Sequence, residues 1–440
     1  MGRTEPARGM RDFLPEDVRR REYVIGIIKR VYERYGFEPL ETPAVENLET
    51  LLGKYGDEGN QLIFKILKRG EHEASGQADL ALRYDLTVPL ARVIAHHQNK
   101  LPRLFKRYQI QPVWRAERPA RGRFREFYQC DVDSLGSTSP VIEAEVCAAV
   151  SDALIELGFK DFRIRVNHRQ LLTSTLNAVG IPEALHASAL VAVDKLDKIG
   201  RENVAAELAT RGVPAPAVES LLGILEAWGS GDGRISVQLD AAGNTALEQL
   251  TQIIELTRGT SAFGHMTPDF SLARGLSYYT GAIMEINVAD LAGSLGGGGR
   301  YDNLVGMFLG QSIPACGFSL GLERILVVMT ERGMFPPSLA TSPADVMVAV
   351  FDAGDMAHAT RVAARLREAG LRVFVYPDAD KIGKQIKYAD SRGIPFVALL
   401  GSDEIAKGTV TVKHLAAQAQ NTYDQAAAGA AILEDLKKRG

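Results

Sequence analysis

An arginine-rich segment between two runs of strand-forming residues constrains this chain most strongly. Within residues 113–133, the two runs flank a tip that contains Pro119 and Gly122, a pattern that predicts an antiparallel hairpin. Side chains alternate between the two faces of a strand. The returning strand is therefore predicted to carry Arg125, Phe127, Gln129, Asp131 and Asp133 on one face and Phe124, Tyr128, Cys130 and Val132 on the other. The first set is typical of a binding site and the second of a core.

The charge of this segment indicates the kind of ligand. Five arginines and one glutamate, Glu117, lie between residues 115 and 125, a local charge of 5 − 1 = +4, whereas the whole chain carries −3. Such a cluster favours a polyanion. The simpler alternative is a hairpin that only faces water, because most charge clusters do. The aromatic, amide and carboxylate side chains of the returning strand favour a site for a flat ring and a cationic amine.

Length and composition limit the remaining possibilities. A chain of 440 residues is predicted to form two or three domains, and 46% hydrophobic with 24% charged residues is the composition of a soluble globular protein. The three cysteines, Cys130, Cys147 and Cys316, form no C-x-x-C pair, which favours buried thiols in a reducing cytoplasm over disulfides or zinc ligands. No apolar run approaches about 18 residues, so we expect neither export nor a membrane span.

Periodicity and breaker residues predict the order of the elements. Pro15 and Gly36 delimit a long helix with one buried face, and Pro43 belongs to an extended segment after it. Asp85 and Thr87 end a predicted strand before a helix over 88–98, for which Asp85 would also be a suitable N-cap. Residues 170–262 are predicted to be helical, and buried strands alternating with helices beyond residue 343 predict a small α/β domain with a largely parallel sheet.

Two glycine patterns have more than one interpretation. The four glycines at 296–299 allow a backbone to approach a ligand closely, although a glycine run by itself is more often a loop, and no P-loop motif occurs. Residues 317–321 match the G-x-S-x-G pattern of serine hydrolases, with Ser319 as the nucleophile. That pattern is short, and a hydrolase also needs a histidine and an acid in a suitable fold.

Five ordered segments resemble the motifs of class II aminoacyl-tRNA synthetases in their histidyl form. Residues 9–43 resemble motif 1, the dimerisation element, residues 115–133 resemble motif 2, and residues 317–324 resemble motif 3. Residues 271–281 and 296–302 closely resemble the two histidine-specific motifs. One departure is Ser277, where the first of these motifs usually has aspartate, and we expect altered support of its neighbours rather than lost function.

The resemblance implies a fold and an activity. It implies an α+β catalytic core with an antiparallel sheet (residues 1–170 and 262–330), a helical insertion (171–261), a linker (331–343) and a C-terminal α/β anticodon-binding domain (344–440). The implied activity is the ATP-dependent attachment of L-histidine to tRNA(His) through a histidyl-adenylate, by a cytoplasmic homodimer. The alternative is a non-catalytic paralogue, such as the regulatory subunit of ATP phosphoribosyltransferase, although such chains generally lack the C-terminal domain.

The resemblance also implies roles for individual residues. It assigns ATP to Arg115, Glu117, Arg123, Phe127 and Arg324, with Mg²⁺ carried on ATP and with no zinc. It assigns histidine to Asp85, Thr87, Arg115, Gln129, Asp133, Arg274, Tyr278, Tyr279 and Tyr301. Within that set, Asp85, Thr87 and Gln129 would bind the α-amino group, and Asp133 and Tyr279 the imidazole. Arg115 and Arg274 would be catalytic, with Arg274 stabilising charge on the α-phosphate.

Overall fold

The chain forms two compact units, Met1–Met334 and Phe335–Gly440. The computed structural model describes residues 4–229, 237–273, 278–337, 339 and 342–438. Each unit contains its own clusters of buried apolar side chains. The division falls within the predicted linker, of which Ser338, Ala340 and Thr341 lie outside the described residues.

The first unit is a mixture of helices and strands. Its helices are α1 (Pro15–Arg34), α2 (Leu48–Leu51), α3 (Gly56–Gln61), α4 (Thr87–His97), α5 (Val141–Glu156), α6 (Arg169–Ala178), α7 (Glu183–Val193), α8 (Leu196–Thr210), α9 (Ala215–Gly229), α10 (Ala241–Leu256), α11 (Gly306–Leu309) and α12 (Leu322–Glu331). Its strands are β1 (Glu38–Pro39), β2 (Val45–Asn47), β3 (Lys65–Leu67), β4 (Ala78–Leu82), β5 (Phe105–Trp114), β6 (Glu126–Leu135), β7 (Arg163–His168), β8 (Met266–Pro268), β9 (Ala282–Asn287), β10 (Ser294–Arg300) and β11 (Ala315–Gly321).

An eight-stranded sheet organises this unit. Its order is β1-β5-β6-β11-β10-β9-β7-β8, and the pairs from β5 to β7 are antiparallel, whereas β1 and β8 join the two edges in parallel. A smaller sheet has the order β2-β4-β3. The predicted antiparallel core of a class II synthetase is confirmed.

The hairpin β5–β6 separates a polar face from an apolar face, as its alternation predicts. Cys130 and Val132 are fully buried, and the hydroxyl of Tyr32 on α1 donates to the carbonyl of Cys130 at 3.2 Å. Helix α1 begins at Pro15 and buries the stripe of Val24, Ile27, Ile28, Val31 and Tyr32. Because α1 covers the apolar face, the site residues of β6 lie on the opposite face.

The four glycines at 296–299 form the middle of β10, so the alternative that this run is a loop does not apply. Strands β9 and β11 pair with β10, one on each side. Their hydrogen bonds hold the extended backbone, for which glycine has no intrinsic preference. The missing side chains leave room for aromatic rings. A Cβ on Gly298 would lie 2.7 Å from Cδ2 of Phe318, and one on Gly299 would lie 2.9 Å from Cδ1 of Tyr279.

Helices α6 to α10 follow β7, where the sequence predicts a helical region. Their buried residues include Leu176, Val193, Leu208 and Leu222, which belong to one apolar cluster. Among the described residues, no single helix is long and apolar enough to cross a membrane. The pair α6 and α7, bent by 115°, meets that test only when the two helices are taken together.

The second unit is an α/β fold with a mixed sheet. Its strands are β12 (Val346–Val350), β13 (Val373–Val375), β14 (Phe396–Leu400), β15 (Thr409–His414) and β16 (Ala419–Asp424), and its helices are α13 (Met356–Glu368), α14 (Ile382–Ser391), α15 (Ser402–Lys407) and α16 (Ala428–Lys437). The order is β13-β12-β14-β15-β16. The first three strands are parallel, as predicted, whereas β15 and β16 add an antiparallel hairpin that the apolar pattern does not reveal.

Candidate active site

One face of the central sheet carries a row of buried polar side chains, which we call the site floor. The register of β5, β6 and β11 places Gln109 and Ser319 beside Asp131, and Arg107 and Gly317 beside Asp133. The site floor comprises Arg107, Gln109, Gln129, Asp131, Asp133 and Ser319. Arg107 is fully buried and both carboxylates are 2% exposed, so the charges of this face are held inside the protein.

Asp133 is the most strongly held carboxylate of the site floor. Its Oδ2 lies 2.8 Å from Nη2 of Arg107, and the hydroxyl of Tyr301 donates to its Oδ1. A Cβ on Gly317 would overlap that Oδ1, so glycine is needed there for the carboxylate to keep its place. Burial raises the pKa of Asp133, and the contacts with Arg107 and Tyr301 oppose that rise.

Asp131 and Gln129 each have a buried oxygen that accepts no hydrogen bond from the described residues. Nε2 of Gln129 donates to Oγ of Ser319 at 2.9 Å, and Arg107 lies 3.8 Å from Oδ2 of Asp131. Oδ2 of Asp133 also accepts no hydrogen bond among the described residues but forms the ion pair with Arg107, whereas Oε1 of Gln129 and Oδ1 of Asp131 are buried with neither. Burial raises the pKa of Asp131, Arg107 lowers it, and the charge of Asp133 raises it further. Since buried acceptors are normally paired, these two oxygens suit a ligand that carries N–H donors.

Asp85 forms a second acidic position, between β4 and α4. Its Oδ1 accepts from the hydroxyl of Tyr55 at 2.9 Å and from the backbone N–H of Val88 at 3.0 Å, and its Oδ2 accepts from the hydroxyl of Tyr278 at 3.2 Å. The bond to Val88 satisfies an N–H of the first turn of α4, but the N-cap residue of that helix is Leu86 and not Asp85. Burial raises the pKa of Asp85, and the hydrogen bond from Val88 opposes it. Thr87 begins α4 and hydrogen-bonds Tyr278.

Three tyrosines form a wall beside the carboxylates. The ring centroid of Tyr278 lies 5.1 Å from that of Tyr279 and 5.9 Å from that of Tyr301. Burial raises the pKa of the Tyr279 hydroxyl, and the charges of Asp133 and Asp131 add to that rise. Tyr279 therefore faces the acidic part of the site floor, and Tyr301 and Tyr278 fix one carboxylate each.

The opposite part of the site is cationic. The Arg115 guanidinium lies 4.3 Å from the ring centroid of Tyr84 and 5.1 Å from that of Phe127, and its Nε donates to the carbonyl of Tyr84 at 3.0 Å. Arg324, at the start of α12, donates from Nη1 to the carbonyl of Ser294. Nε of Arg123 pairs with Oε2 of Glu117 at 2.6 Å.

Two neighbouring arginines repel Arg324. Burial lowers the pKa of Arg324, the positive charges of Arg123 and Arg115 lower it further, and the negative charges of Glu117 and Glu285 oppose that fall. A bound polyanion would relieve this repulsion, because its charge is opposite to that of all three guanidinium groups. The cationic part of the site thus matches the polyanion predicted from the local charge of the hairpin.

The structure brings most of the predicted site residues together. The predicted histidine residues Asp85, Thr87, Gln129, Asp133, Tyr278, Tyr279 and Tyr301 lie on the floor and walls, and Arg115, Glu117, Arg123, Phe127 and Arg324 lie at the cationic part. Arg274 and Ser277 lie outside the described residues.

Sequence reasoning missed Arg107, Ser319 and Tyr55 as parts of the site. Arg107, Gln109 and Gln111 alternate along β5, which is the signal that could have predicted a polar face on that strand. Tyr55 gave no such signal, because only the fold brings it to Asp85. Ser319 lies within β11 and bonds Gln129 and Asp131, so the G-x-S-x-G interpretation, which needs the serine at a strand-to-helix turn, does not fit.

The three cysteines are buried free thiols, as predicted. In the part of the chain that the structure describes, no group of three or more His, Cys, Asp or Glu side chains is arranged to hold a metal ion.

Two family models match this chain. Residues 9–325 match histidyl-tRNA synthetase, and residues 345–435 match an anticodon binding domain. A histidine–tRNA ligase of Cytophaga hutchinsonii is 40% identical over 443 residues, covering 95% of this chain and 97% of that protein. The corresponding ligase of Gloeobacter violaceus is 39% identical and covers 99% of this chain and 100% of that protein.

Solved structures agree with these matches. A histidyl-tRNA synthetase from Nostoc sp. PCC 7120 superposes with a TM-score of 0.79 at 32% identity and covers 99% of this chain and 100% of that one. A synthetase from S. aureus, at 22% identity and a TM-score of 0.70, covers 98% of this chain and 100% of that one and shares the fold. On the extent and identity of these matches, the chain belongs to the histidyl-tRNA synthetase family.

Proposed function

We propose how this chain carries out the ATP-dependent attachment of histidine to tRNA, the activity that its family membership and its near-full-length relatives assign to it. One observation carries the proposal. A buried face with carboxylates and unpaired acceptors adjoins Arg324 and the two arginines, Arg115 and Arg123, whose charges lower its pKa. The first suits a cationic amine and a ring with N–H donors, and the second suits a triphosphate.

The site floor would bind histidine. Asp85, Thr87 and Gln129 would receive the α-amino group, and Asp133 with Tyr279 would receive the imidazole. Tyr278 and Tyr301 support these positions because their hydroxyls donate to Asp85 and Asp133. A buried carboxylate fixed in this way favours a side chain with ring N–H donors over one without them.

The cationic part would bind ATP together with the Mg²⁺ that ATP carries. Phe127 would stack on adenine, and Arg115 and Arg324 would hold the phosphates, with Glu117 and Arg123 beside them. Hydrogen bonds from Arg115 and Arg324 to backbone carbonyls hold both guanidinium groups in place before ATP arrives. Such fixed donors stabilise charge without having to reorganise during the reaction.

The first chemical step would form histidyl-adenylate. The carboxylate oxygen of histidine attacks the α-phosphorus, the bond from that phosphorus to the bridging oxygen breaks, and pyrophosphate leaves. Arg115 and Arg274 would stabilise the charge on the α-phosphate from opposite sides, with Arg274 assigned by the sequence resemblance alone. In the second step a hydroxyl of the terminal tRNA ribose attacks the carbonyl carbon, loses its proton, and AMP leaves.

The second unit would contact the tRNA anticodon, and the hairpin tip would contact the acceptor end. Residues 344–440 are the proposed extent of the anticodon-binding domain, after a linker over 331–343 and a catalytic core interrupted by the insertion at 171–261. Arg121, Arg123 and Arg125 at the tip would meet phosphates.

The regulatory-paralogue alternative is disfavoured by the matched anticodon-binding domain and by the histidine–tRNA ligases among the relatives.

We further propose a cytoplasmic homodimer. The motif 1 resemblance places α1 and the segment through Pro43 at its interface. Apolar side chains at Val45, Leu67 and Leu80 are exposed on the small sheet that follows, and they support an association in this region. Light scattering at micromolar concentration should give the mass of a dimer. A fully active monomer would contradict this part of the proposal.

An exchange assay tests the proposed chemistry. Radioactive pyrophosphate should enter ATP only when histidine is present, out of the twenty amino acids, because adenylate formation is reversible. Charging of tRNA(His) should follow when that tRNA is added. Exchange with another amino acid, or with none, would contradict the proposal.

A further inference from the structure

Asp131 has the least compensated charge on the site floor. It lies between Gln129 and Asp133 on the same face of β6, about 7 Å from each along the strand. Asp133 is paired with Arg107 at 2.8 Å and accepts from Tyr301, whereas Asp131 is 3.8 Å from the same guanidinium. Oδ1 of Asp131 is buried and has no partner among the described residues.

Among the described residues, the site floor and Asp85 carry more buried carboxylates than guanidinium groups that pair with them. Asp85, Asp131 and Asp133 are all buried, and Arg107 is the guanidinium that pairs with two of them. Arg115 also lowers the pKa of Asp85, but its guanidinium lies between Tyr84 and Phe127 in the cationic part. Ser319 gives Asp131 one neutral hydrogen bond. A buried carboxylate with so little compensation is costly, unless a cation joins it.

We propose that Asp131 is a specificity-determining residue that accepts a hydrogen bond from the α-ammonium group of the amino-acid substrate, together with Oε1 of Gln129. This inference rests on the proposed function and adds a residue to the proposed histidine site. An ammonium group has three N–H donors, and Asp85, Gln129 and Asp131 offer an acceptor for each. Two of these acceptors are the adjacent unmet oxygens of β6.

The rest of the site floor assigns Asp131 to the ammonium rather than to the imidazole. Tyr301 fixes Asp133, the carboxylate proposed for the ring, and among the carboxylates Asp133 has the largest effect on the pKa of Tyr279. Asp131 is the neighbour of Gln129, which is proposed for the amino group. A charged acceptor at Asp131 therefore adds selectivity for substrates with a free amine.

Two fragments of histidine separate these possibilities. Histamine keeps the amine and the imidazole, and imidazole propionate keeps the carboxylate and the imidazole. Each is used as a competitive inhibitor of histidine-dependent exchange by the full-length wild type, by Asp131→Asn and by Asp131→Ser. Asp161→Asn is the matched control, since Asp161 pairs with Arg332 on the surface.

Loss of the charge of Asp131 should raise the inhibition constant of histamine by on the order of tenfold, because hydrogen bonds to charged groups contribute about that factor or more. The inhibition constant of imidazole propionate should stay within about twofold. The Michaelis constant for histidine should rise, and that for ATP should not. Only folded enzyme contributes to the exchange reaction, so partial loss of folding does not change the ratio of the two inhibition constants. The serine variant repeats the test with a smaller side chain.

The contrary results are distinct. Equal weakening of both fragments would assign Asp131 to the imidazole or to the shape of the pocket. If neither inhibition constant changes in either variant, Asp131 does not contact the amine and its free oxygen is hydrated instead. Either result overturns this inference alone, provided that the wild type shows histidine-dependent exchange. Absence of that exchange in the wild type would overturn the proposed function itself.

Discussion

At the scale of single residues, Asp133 is fixed from three directions, which makes it suited to selecting a side chain. Arg107 pairs with one of its oxygens, Tyr301 donates to the other, and Gly317 leaves the space that it occupies. A site built around a buried polar group can reject substrates that leave that group unpaired by roughly 10⁴ or more.

Asp133→Asn should therefore lower kcat/KM for histidine by on the order of 10²-fold and lower the preference for histidine over glutamine. The physical reason is that the amide keeps the size of the side chain but loses its charge and one acceptor. Pyrophosphate exchange with each amino acid measures both quantities, with Asp161→Asn as the control. If the variant prefers histidine as strongly as the wild type, the imidazole is recognised elsewhere.

Glu323 should make stability depend on pH. It is 2% exposed, its Oε2 accepts from the N–H of Tyr128 at 2.9 Å, and Arg11 lies 4.0 Å away. Burial raises the pKa of its carboxyl from 4.5 to about 7, against the hydrogen bond from Tyr128. Between these values the folded state binds a proton more tightly than the unfolded state, so the free energy of unfolding falls as pH rises through that window.

Glu323→Gln should remove this loss of stability at higher pH, because glutamine keeps the acceptor for Tyr128 and carries no charge. From the shift of the pKa, we expect the difference in free energy of unfolding between variant and wild type to grow by about 3 kcal/mol, in favour of the variant, from pH 4.5 to pH 8. Urea unfolding followed by tryptophan fluorescence reports the first unit, since Trp114 and Trp228 are its two tryptophans. A stability difference that does not change with pH would show that Glu323 is not the group responsible.

At the scale of elements, the tip of the hairpin is held by its own ion pairs. Arg121 pairs with Glu331 of α12 and donates to the carbonyl of Asp290 at 3.0 Å, and Arg123 pairs with Glu117. Phosphates that bind Arg121 must therefore replace Glu331. Both side chains of that pair are nearly half exposed, so water and salt screen the pair and it stabilises the tip only weakly.

Glu331→Gln should lower the KM for tRNA by about two- to fivefold at low salt, because the competing carboxylate is gone. The gain should shrink as salt is raised from about 50 to 200 mM, because phosphate contacts weaken with ionic strength. Glu156→Gln is the matched control, since its partners Arg30 and Arg34 lie on α1. An identical response of the two variants would mean that Arg121 does not contact tRNA.

At the scale of the whole molecule, we expect the two units to divide the two halves of the reaction. The proposed histidine and ATP residues all lie in the first unit, and apolar clusters within each unit supply separate cores. A chain that ends at Met334 should thus keep histidine-dependent pyrophosphate exchange but lose most tRNA charging.

A change of the tRNA anticodon should impair the full chain more than the shortened one. The measurements are exchange and charging by both forms with both tRNAs, and exchange by the shortened chain serves as the control for its folding. If shortening leaves charging and its dependence on the anticodon unchanged, the second unit does not recognise the anticodon.

Much of this architecture follows from local patterns in the sequence. Alternation along residues 124–133 predicts both the apolar face that α1 covers and the polar face that carries Gln129, Asp131 and Asp133. Pro15 and Gly36 predict the limits of α1 closely. These signals are reliable because they depend on side-chain direction and backbone geometry within a few residues.

Other features depend on residues that only the fold brings together. The glycines of β10 have no tendency to form a strand, and pairing with β9 and β11 imposes one. An arginine such as Arg107 would be placed on the surface from its type alone, but carboxylates on the adjoining strand hold it inside. Tyr301 reaches Asp133 across 168 positions of the chain. The sequence by itself determines which faces are polar, whereas the tertiary structure decides which charges meet, because burial makes each such charge dependent on its partner.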